Sequence, residues 1–224
     1  MIKLCVFDLD GTTVNSLPSI AHFANKTLEH FGYPPFPDDD YRHLAGGGAK
    51  VLWTNLVRET GAPAEMLDVM KEHWLRIYAE DFLYLSTSYE GITEMLSSLK
   101  EAGIITAIIA NKDKRIADRI CDTLFGSDGR LLDVCISDHP GMKLKPQPGE
   151  IFALMEHYGV RADECAYCGD HQIDMRMGKN AGVFTIGVTW GFHTREMLLN
   201  AGADLVVDTP NELCDFIIRG EYNE

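Results

Sequence analysis

The sequence predicts an α/β fold: a doubly wound parallel sheet with a helical cap inserted after its first strand. Three observations carry that prediction. From Ser88 onward, short apolar runs alternate with segments of helical period. Between the first apolar run and Ile104, only helical patterns occur. The first run itself ends abruptly in Asp8-Leu9-Asp10-Gly11-Thr12, two carboxylates and a glycine that a buried strand has no packing reason to carry.

Met1 to Phe7 reads as a buried strand, because apolar residues fill both faces as they do in parallel sheets. Side chains two apart on an extended chain face the same way, so Asp8 and Asp10 converge on one spot. From Pro18 to about Phe31, residues Ile20, Phe23, Ala24, Leu28 and Phe31 recur at three and four, and Gly32 with Pro34 and Pro35 ends the helix. Lys50 to Thr60 and Ala64 to about Tyr78 are also helical in pattern. That is too much helix for one crossover between parallel strands. The domains expected are therefore a helical cap over residues 15–86 and a core built from residues 1–14 and 87–224.

Later elements follow in turn. Helices are expected over Ile92–Ala102, Ile116–Phe125, Glu150–Tyr158, Asp174–Ala181, Thr194–Ala201 and Pro210–Arg219. Strands are expected over Ile104–Ala110, Val134–Ser137, Cys165–Cys168, Phe184–Val188 and Leu205–Val207.

Composition narrows the function. The chain has 224 residues, 46% of them hydrophobic, enough for a sizeable core. Lys and Arg total 20 against 34 for Asp and Glu, a net charge of -14, which disfavours a nucleic-acid binder. Six cysteines without a dense framework suit a reducing compartment. Cys165 and Cys168 form a CxxC, but within an apolar strand, where the expectation is two buried thiols facing opposite sides. No apolar run approaches the roughly 18 residues of a membrane span, and Asp8 and Asp10 interrupt any signal-peptide core. A cytoplasmic protein with no membrane partner is expected.

Ligands of such sheets bind past the carboxyl ends of the strands. Asp8 and Asp10 follow the first strand; Asn111 and Lys112 the second; Lys143 and Lys145 lie in the loop after the third; Gly169, Asp170 and Asp174 follow the fourth. Several carboxylates at one edge repel unless a cation joins them, and all-oxygen ligation favours Mg²⁺ with a phosphorylated substrate supplying further oxygens. A nearby lysine offsets the phosphate charge.

These segments resemble the four ordered motifs of the haloacid dehalogenase superfamily: Asp8-Leu9-Asp10-Gly11-Thr12, the Asn111-Lys112 pair, Lys145-Pro146-Gln147-Pro148 and Gly169-Asp170-His171-Gln172-Ile173-Asp174. Gly46-Gly47-Gly48-Ala49 and Val188-Thr189-Trp190-Gly191 are similar to its phosphoglycolate phosphatase branch. The resemblance implies a Rossmann-like core and a Mg²⁺-dependent phosphatase acting on small phosphomonoesters, phosphoglycolate foremost, as a monomer or homodimer.

It also implies roles. Asp8 is the nucleophile that forms an aspartyl-phosphate. Asp10 is general acid and then base, with a pKa raised by neighbouring carboxylates. Lys145 pairs with Asp8 and the phosphoryl group. Mg²⁺ is held by Asp8, Asp170 and the Asp10 backbone carbonyl, with Asp174 as ligand or support. Leu9, Gly11, Thr12 and Asn111 line the phosphate site, and Gly47 belongs to a substrate-facing loop of the cap.

Plainer readings stand beside these. Asp170 and Asp174 suit a helix N-terminus, and Lys143 competes with Lys145. Gly46 to Gly48 can serve as a flexible hinge, and GGGAK lacks phosphate-loop spacing. Arg42, His43 and Lys50 read as surface charges or as readers of a substrate carboxylate, and His171 as an exposed loop residue. The chain departs from the family pattern at Ala110, where a hydroxyl residue is usual, and at Asn15 and Glu90. A sugar-phosphate mutase on the same scaffold is one alternative; a binding or regulatory protein with weakened turnover is the other.

Overall fold

The structure, a computed structural model, describes residues 1–126 and 128–220. Strand β1 (Leu4–Phe7) is followed by the short β2 (Val14–Asn15) and by helices α1 (Leu17–His30), α2 (Tyr41–Leu44), α3 (Ala49–Thr60) and α4 (Met66–Glu80). The chain returns through β3 (Thr87–Ser88) to α5 (Ile92–Glu101), β4 (Ile105–Asp113), α6 (Lys114–Phe125) and β5 (Val134–Asp138). It closes with α7 (Gly149–Tyr158), β6 (Cys165–Gly169), α8 (Gln172–Ala181), β7 (Phe184–Val188), α9 (Arg195–Asn200), β8 (Leu205–Val207) and α10 (Pro210–Arg219).

Six of the strands form one parallel sheet in the order β5-β4-β1-β6-β7-β8. The sequence runs outward from β1 in one direction, then resumes on its other side at β6, so the switch in strand order falls between β1 and β6. Strand β1 is therefore central, with Phe7 level with Ile108 on one neighbour and Cys168 on the other. Its alternation divides the core. Leu4 and Val6 pack with Ile151, Leu154 and Met177, whereas Cys5 and Phe7 join Ile92, Leu96 and Leu213 on the opposite face. Truncating Phe7 to Ala would cost about 3–5 kcal/mol through lost contact and a cavity. Cys165 and Cys168, both fully buried, fall on these opposite faces, as strand geometry requires for residues three apart.

The four helices between β2 and β3 pack on one another and share one apolar cluster with Cys5 and Phe7 of β1. Ile20, Phe23, Ala24 and Leu28 of α1 are buried at the expected helical spacing, and Phe23 stacks on Tyr78 of α4 with ring centroids 4.9 Å apart. Gly32, at φ +79°, takes the left-handed conformation that lets the chain leave α1.

Three features differ from the sequence expectation. Strand β4 runs on to Asp113, with a register shift between Ile109 and Asp113, so Asn111 and Lys112 lie among the strand's last residues and not past its end. Strands β2 and β3 pair antiparallel, Val14 with Ser88 and Asn15 with Thr87, where the chain enters and leaves the helical segment. At two residues each they carry no periodic pattern. The four-residue α2, preceded by a 3₁₀ turn at Asp38–Asp40, is likewise too short to show one. Among the described residues no helix is long and apolar enough to cross a membrane.

Candidate active site

The loop after β1 is a tight knot. The Leu9 carbonyl accepts from the amides of Thr13 and Val14, at 3.1 and 2.9 Å, and the Gly11 amide returns to the Val14 carbonyl at 2.9 Å. Gly11 sits at φ +86°, and a Cβ there would lie 2.2 Å from Asp170 Oδ2. Only glycine lets the loop approach that carboxylate so closely. Gly191 closes the other side, where a Cβ would stand 2.3 Å from Asp170 Cβ. The Trp190 indole N–H donates to the Thr12 carbonyl at 2.9 Å, fastening the loop after β7 to the loop after β1.

Asp8, Asp170 and Asp174 converge here, each buried, with ligand oxygens within 4.8 Å of one another. Lys145 is the cation among them, 2.6 Å from Asp8 Oδ1 and 2.8 Å from Asp174 Oδ1. Burial disfavours its charge, but Asp174 and Asp8 outweigh that and hold it protonated. Lys143 is exposed, whereas Lys145 is buried.

One ammonium does not balance three carboxylates. Burial, then Asp174, pushes the Asp8 carboxyl well above the usual carboxylate range against the pull of Lys145. Burial and then Asp174 push Asp170 up to about 7, although Thr12 Oγ1 and the Phe192 amide donate to it at 2.7 and 2.8 Å. A buried, oxygen-only, over-negative cluster fits a hard divalent cation such as Mg²⁺. Asp174 is the most committed member: it accepts from Lys145, from the Tyr167 hydroxyl at 3.1 Å and from the His171 amide at 3.1 Å.

Asp10 stands apart from the cluster. Its carboxylate accepts from Ser16 Oγ at 2.6 Å and pairs with Lys112 Nζ at 3.0 Å. Its side-chain neighbours are thus a hydroxyl and a cation, not the other acids that the sequence reading placed around it. Lys112 is itself buried and also donates to the Tyr78 hydroxyl of α4 at 3.0 Å. Burial opposes its charge, yet Asp10 and Tyr78 raise its pKa.

Several expected phosphate-site groups are engaged elsewhere. The Leu9 amide donates to Asp8 Oδ1 at 2.6 Å, the Gly11 amide to Val14 and the Thr12 hydroxyl to Asp170. The Asn111 side chain holds the Lys145 backbone, accepting from its amide at 2.9 Å. Ala110 is buried in β4 and brings no hydroxyl.

A cavity of about 40 Å³ lies between the strand ends and the helices. Asp8, Asp10, Asn111, Lys112 and Lys145 form its floor; Gly46 and Gly48 belong to its opposite wall. Gly47 does not line it, and a Cβ there would meet Val51 instead. Gly48, at φ +84°, would bring a Cβ to 2.7 Å from the Asn111 carbonyl, and Gly46 one to 2.5 Å from His171 Cδ2. The glycine loop therefore rests directly on the strand end and on His171.

His171 is accordingly not an exposed loop residue. It is half-buried, caps α8 by accepting from the Ile173 amide at 3.2 Å, and lies against His193 with centroids 3.8 Å apart. Burial and then His193 push its pKa down to about 4, so the ring is neutral. Arg42 reaches from α2 to the Gly191 carbonyl at 2.8 Å, while His43 and Lys50 are exposed. Sequence reasoning singled out neither the Lys112 pairing with Asp10 nor the Tyr78 contact. A lysine two residues past a strand's last apolar position was the available hint.

A family model described as haloacid dehalogenase-like hydrolase matches residues 5–188, and the chain belongs to that family. Curated relatives narrow the class. A phosphoglycolate phosphatase of Vibrio parahaemolyticus is 31% identical over 221 residues, covering 96% of each chain. One of Colwellia psychrerythraea is 32% identical over 216 residues, covering 94% of this chain and 95% of its own. An N-acetylmuramic acid 6-phosphate phosphatase of Pseudomonas aeruginosa is 28% identical over 221 residues, covering 97% and 96%. A solved structure from Lactobacillus delbrueckii subsp. bulgaricus superposes with a TM-score of 0.91 at 23% identity, covering 97% and 98%, which shows the shared fold. The chain is a phosphoric monoester hydrolase of the haloacid dehalogenase-like family.

Proposed function

We propose that the protein is a Mg²⁺-dependent phosphatase of small phosphomonoesters that works through an aspartyl-phosphate on Asp8. The observation that carries this reading is the buried group of Asp8, Asp170 and Asp174 around Lys145. Asp8 Oδ1 takes both Lys145 and the Leu9 amide, which leaves Oδ2 as the oxygen to attack phosphorus. A bound Mg²⁺, held by Asp8 and Asp170 with Asp174 behind, would supply the positive charge that lets a carboxylate and a phosphate dianion meet. Lys145 adds to that charge and fixes the Asp8 carboxylate. Asp10, which shares Lys112 with Tyr78 of α4, protonates the departing alkoxide and then takes a proton from the attacking water. Lys112 and Ser16 hold its carboxylate in place for both steps.

The helical segment acts as a cap in this scheme. The cavity has room for on the order of three waters, so an ester enters when the helices lift and reacts when they close. Phosphoglycolate is the first ester to assay, since relatives bearing that name align along nearly the whole chain.

The test is phosphate release by the purified protein with and without Mg²⁺, together with mass spectrometry of rapidly quenched enzyme. The expected result is Mg²⁺-dependent turnover and an adduct on the peptide carrying Asp8. No release from a panel of small esters, or an adduct elsewhere, would overturn the proposal.

A further inference from the structure

The two walls of the cavity differ in kind. The strand-end floor is charged, but the wall contributed by the helical segment is apolar: Ile20, Ala45, Ala49, Leu52, Trp74 and Leu75. Among the described residues no lysine or arginine of α1 to α4 lines it. Arg42 is turned to Gly191 and Lys50 is exposed. Besides Lys145, a second anionic group on the leaving alcohol would find one cation lining the cavity, Lys112 of the floor, already shared by Asp10 and Tyr78. Burying a carboxylate against that wall carries an uncompensated desolvation cost.

Trp74 of the same wall carries a donor without a partner. Among the described residues, four buried side-chain polar atoms lack a hydrogen-bond partner, on Ser19, Trp53, Trp74 and Ser86. Of these residues only Trp74 lines the cavity. Its indole can donate but not accept, and Trp74 is 4% exposed, so water does not satisfy it. A buried donor without an acceptor is costly, and a ligand oxygen would relieve that cost.

From this wall and this donor we infer that the site takes phosphate monoesters of small uncharged alcohols, and that Trp74 recognises a further hydroxyl or carbonyl oxygen on the leaving group. The inference rests on the phosphatase reading above and specifies its substrate class. It ranks phosphoglycolate, whose leaving alcohol carries a carboxylate, below its neutral counterpart. Trp74 is a specificity residue: it contributes to the leaving-group side and leaves the phosphoryl group to Asp8 and Lys145.

Three esters of two-carbon alcohols separate the terms: 2-hydroxyethyl phosphate, phosphoglycolate and ethyl phosphate. The expected order of kcat/KM places 2-hydroxyethyl phosphate about tenfold above each of the others, one hydrogen bond being worth about that factor. Trp74→Phe keeps the ring and removes the donor. It should lower kcat/KM for 2-hydroxyethyl phosphate about tenfold more than for ethyl phosphate, and so erase their difference. Ala49→Lys, at a half-buried position of the wall, should raise phosphoglycolate relative to 2-hydroxyethyl phosphate and guards against a Trp74 variant that does not fold. Calorimetric binding of the three esters to the Asp8→Asn protein with Mg²⁺ reads the same order without turnover. Phosphoglycolate equal or superior in both assays would overturn the inference and leave the phosphatase reading intact. Ordered binding with no phosphate release by the unmodified protein would overturn that reading and keep the inference.

Discussion

Lys112 Nζ lies 3.0 Å from Asp10 Oδ1 and 3.0 Å from the Tyr78 hydroxyl, so one buried ammonium joins the proposed acid to helix α4. The Lys112 side chain is 3% exposed and that of Asp10 20%, which makes this an ion pair partly shielded from water. Removing the lysine would leave the carboxylate free to turn towards Ser16 alone. Lys112→Met should lower kcat on alkyl phosphates about 10- to 100-fold, the range of acid catalysis, and should slow p-nitrophenyl phosphate much less, because that leaving group needs no proton. Parallel steady-state assays on the two substrate types check this, and equal losses on both would point to a structural effect. Tyr78→Phe should give a smaller loss of the same kind.

The three-carboxylate cluster makes the metal-free protein sensitive to pH. The folded pKa of Asp170, about 7, lies above the ordinary carboxylate value, and Asp8 shifts in the same direction. A carboxyl whose folded pKa is raised contributes stability that is full below the unfolded pKa and is lost as pH rises through the folded one. Metal-free protein should therefore melt at progressively lower temperature between about pH 4 and about pH 7. Mg²⁺ must displace those protons, so its stabilisation should be larger at pH 8 than at pH 5.5. Thermal melts with and without Mg²⁺ at the two values test the sign. A larger Mg²⁺ effect at the lower pH would contradict it.

Asp8→Asn removes one charge from that cluster while keeping its shape. Turnover should fall to background, and the metal-free melting temperature should rise, with a gain of about 1 kcal/mol. Lys145 keeps Asp174 as its partner. Undiminished steady-state activity in this variant would remove Asp8 as nucleophile.

Gly48→Ala tests the contact between the glycine loop and the strand end. The new Cβ would meet the Asn111 carbonyl at 2.7 Å, and a backbone atom cannot swing aside as a side chain does. The helices should then fail to close fully, raising KM about tenfold with a stability loss of about 1–2 kcal/mol from the strained φ of +84°. Substrate titration with a parallel chemical denaturation separates the two. An unchanged KM would mean that the contact plays no part in closure.

Much of the fold was legible because periodicity reports which faces are buried. Strands β7 and β8 and helix α10 have the bounds expected from the sequence, since turn residues delimit their apolar runs. Strand β4 was underestimated because Asn111, Lys112 and Asp113 are polar, and polarity at a strand's end looks like its termination. The residues of the candidate site were legible as acids and lysines past strand ends, a consequence of topology. Their pairings were not. Lys112 meets Asp10 across 102 residues and Tyr78 across 34, contacts that leave no local pattern. The assignment of Gly47 to the cavity missed by one residue on each side for a similar reason: which glycine touches the opposite wall depends on the loop's path, not its composition. His171 read as loop because its cap on α8 and its contact with His193 arise only once β7 lies beside β6.

The pairing of β2 with β3 is short, but it stands in an unusual place. Val14 stands opposite Ser88 on the returning strand and bonds, through its own backbone, to Leu9 and Gly11 of the loop that carries Asp10; Ser16, two residues on, holds the Asp10 carboxylate. The mechanical path from the helices to the loop that carries the proposed acid is therefore short. A displacement of the helical segment pulls on the same peptide units that set the acid's position. Selection can remodel residues 17–86 other than Tyr78 for a new substrate with little cost to the chemistry, whereas a change at residues 14–16 would disturb access and proton transfer together.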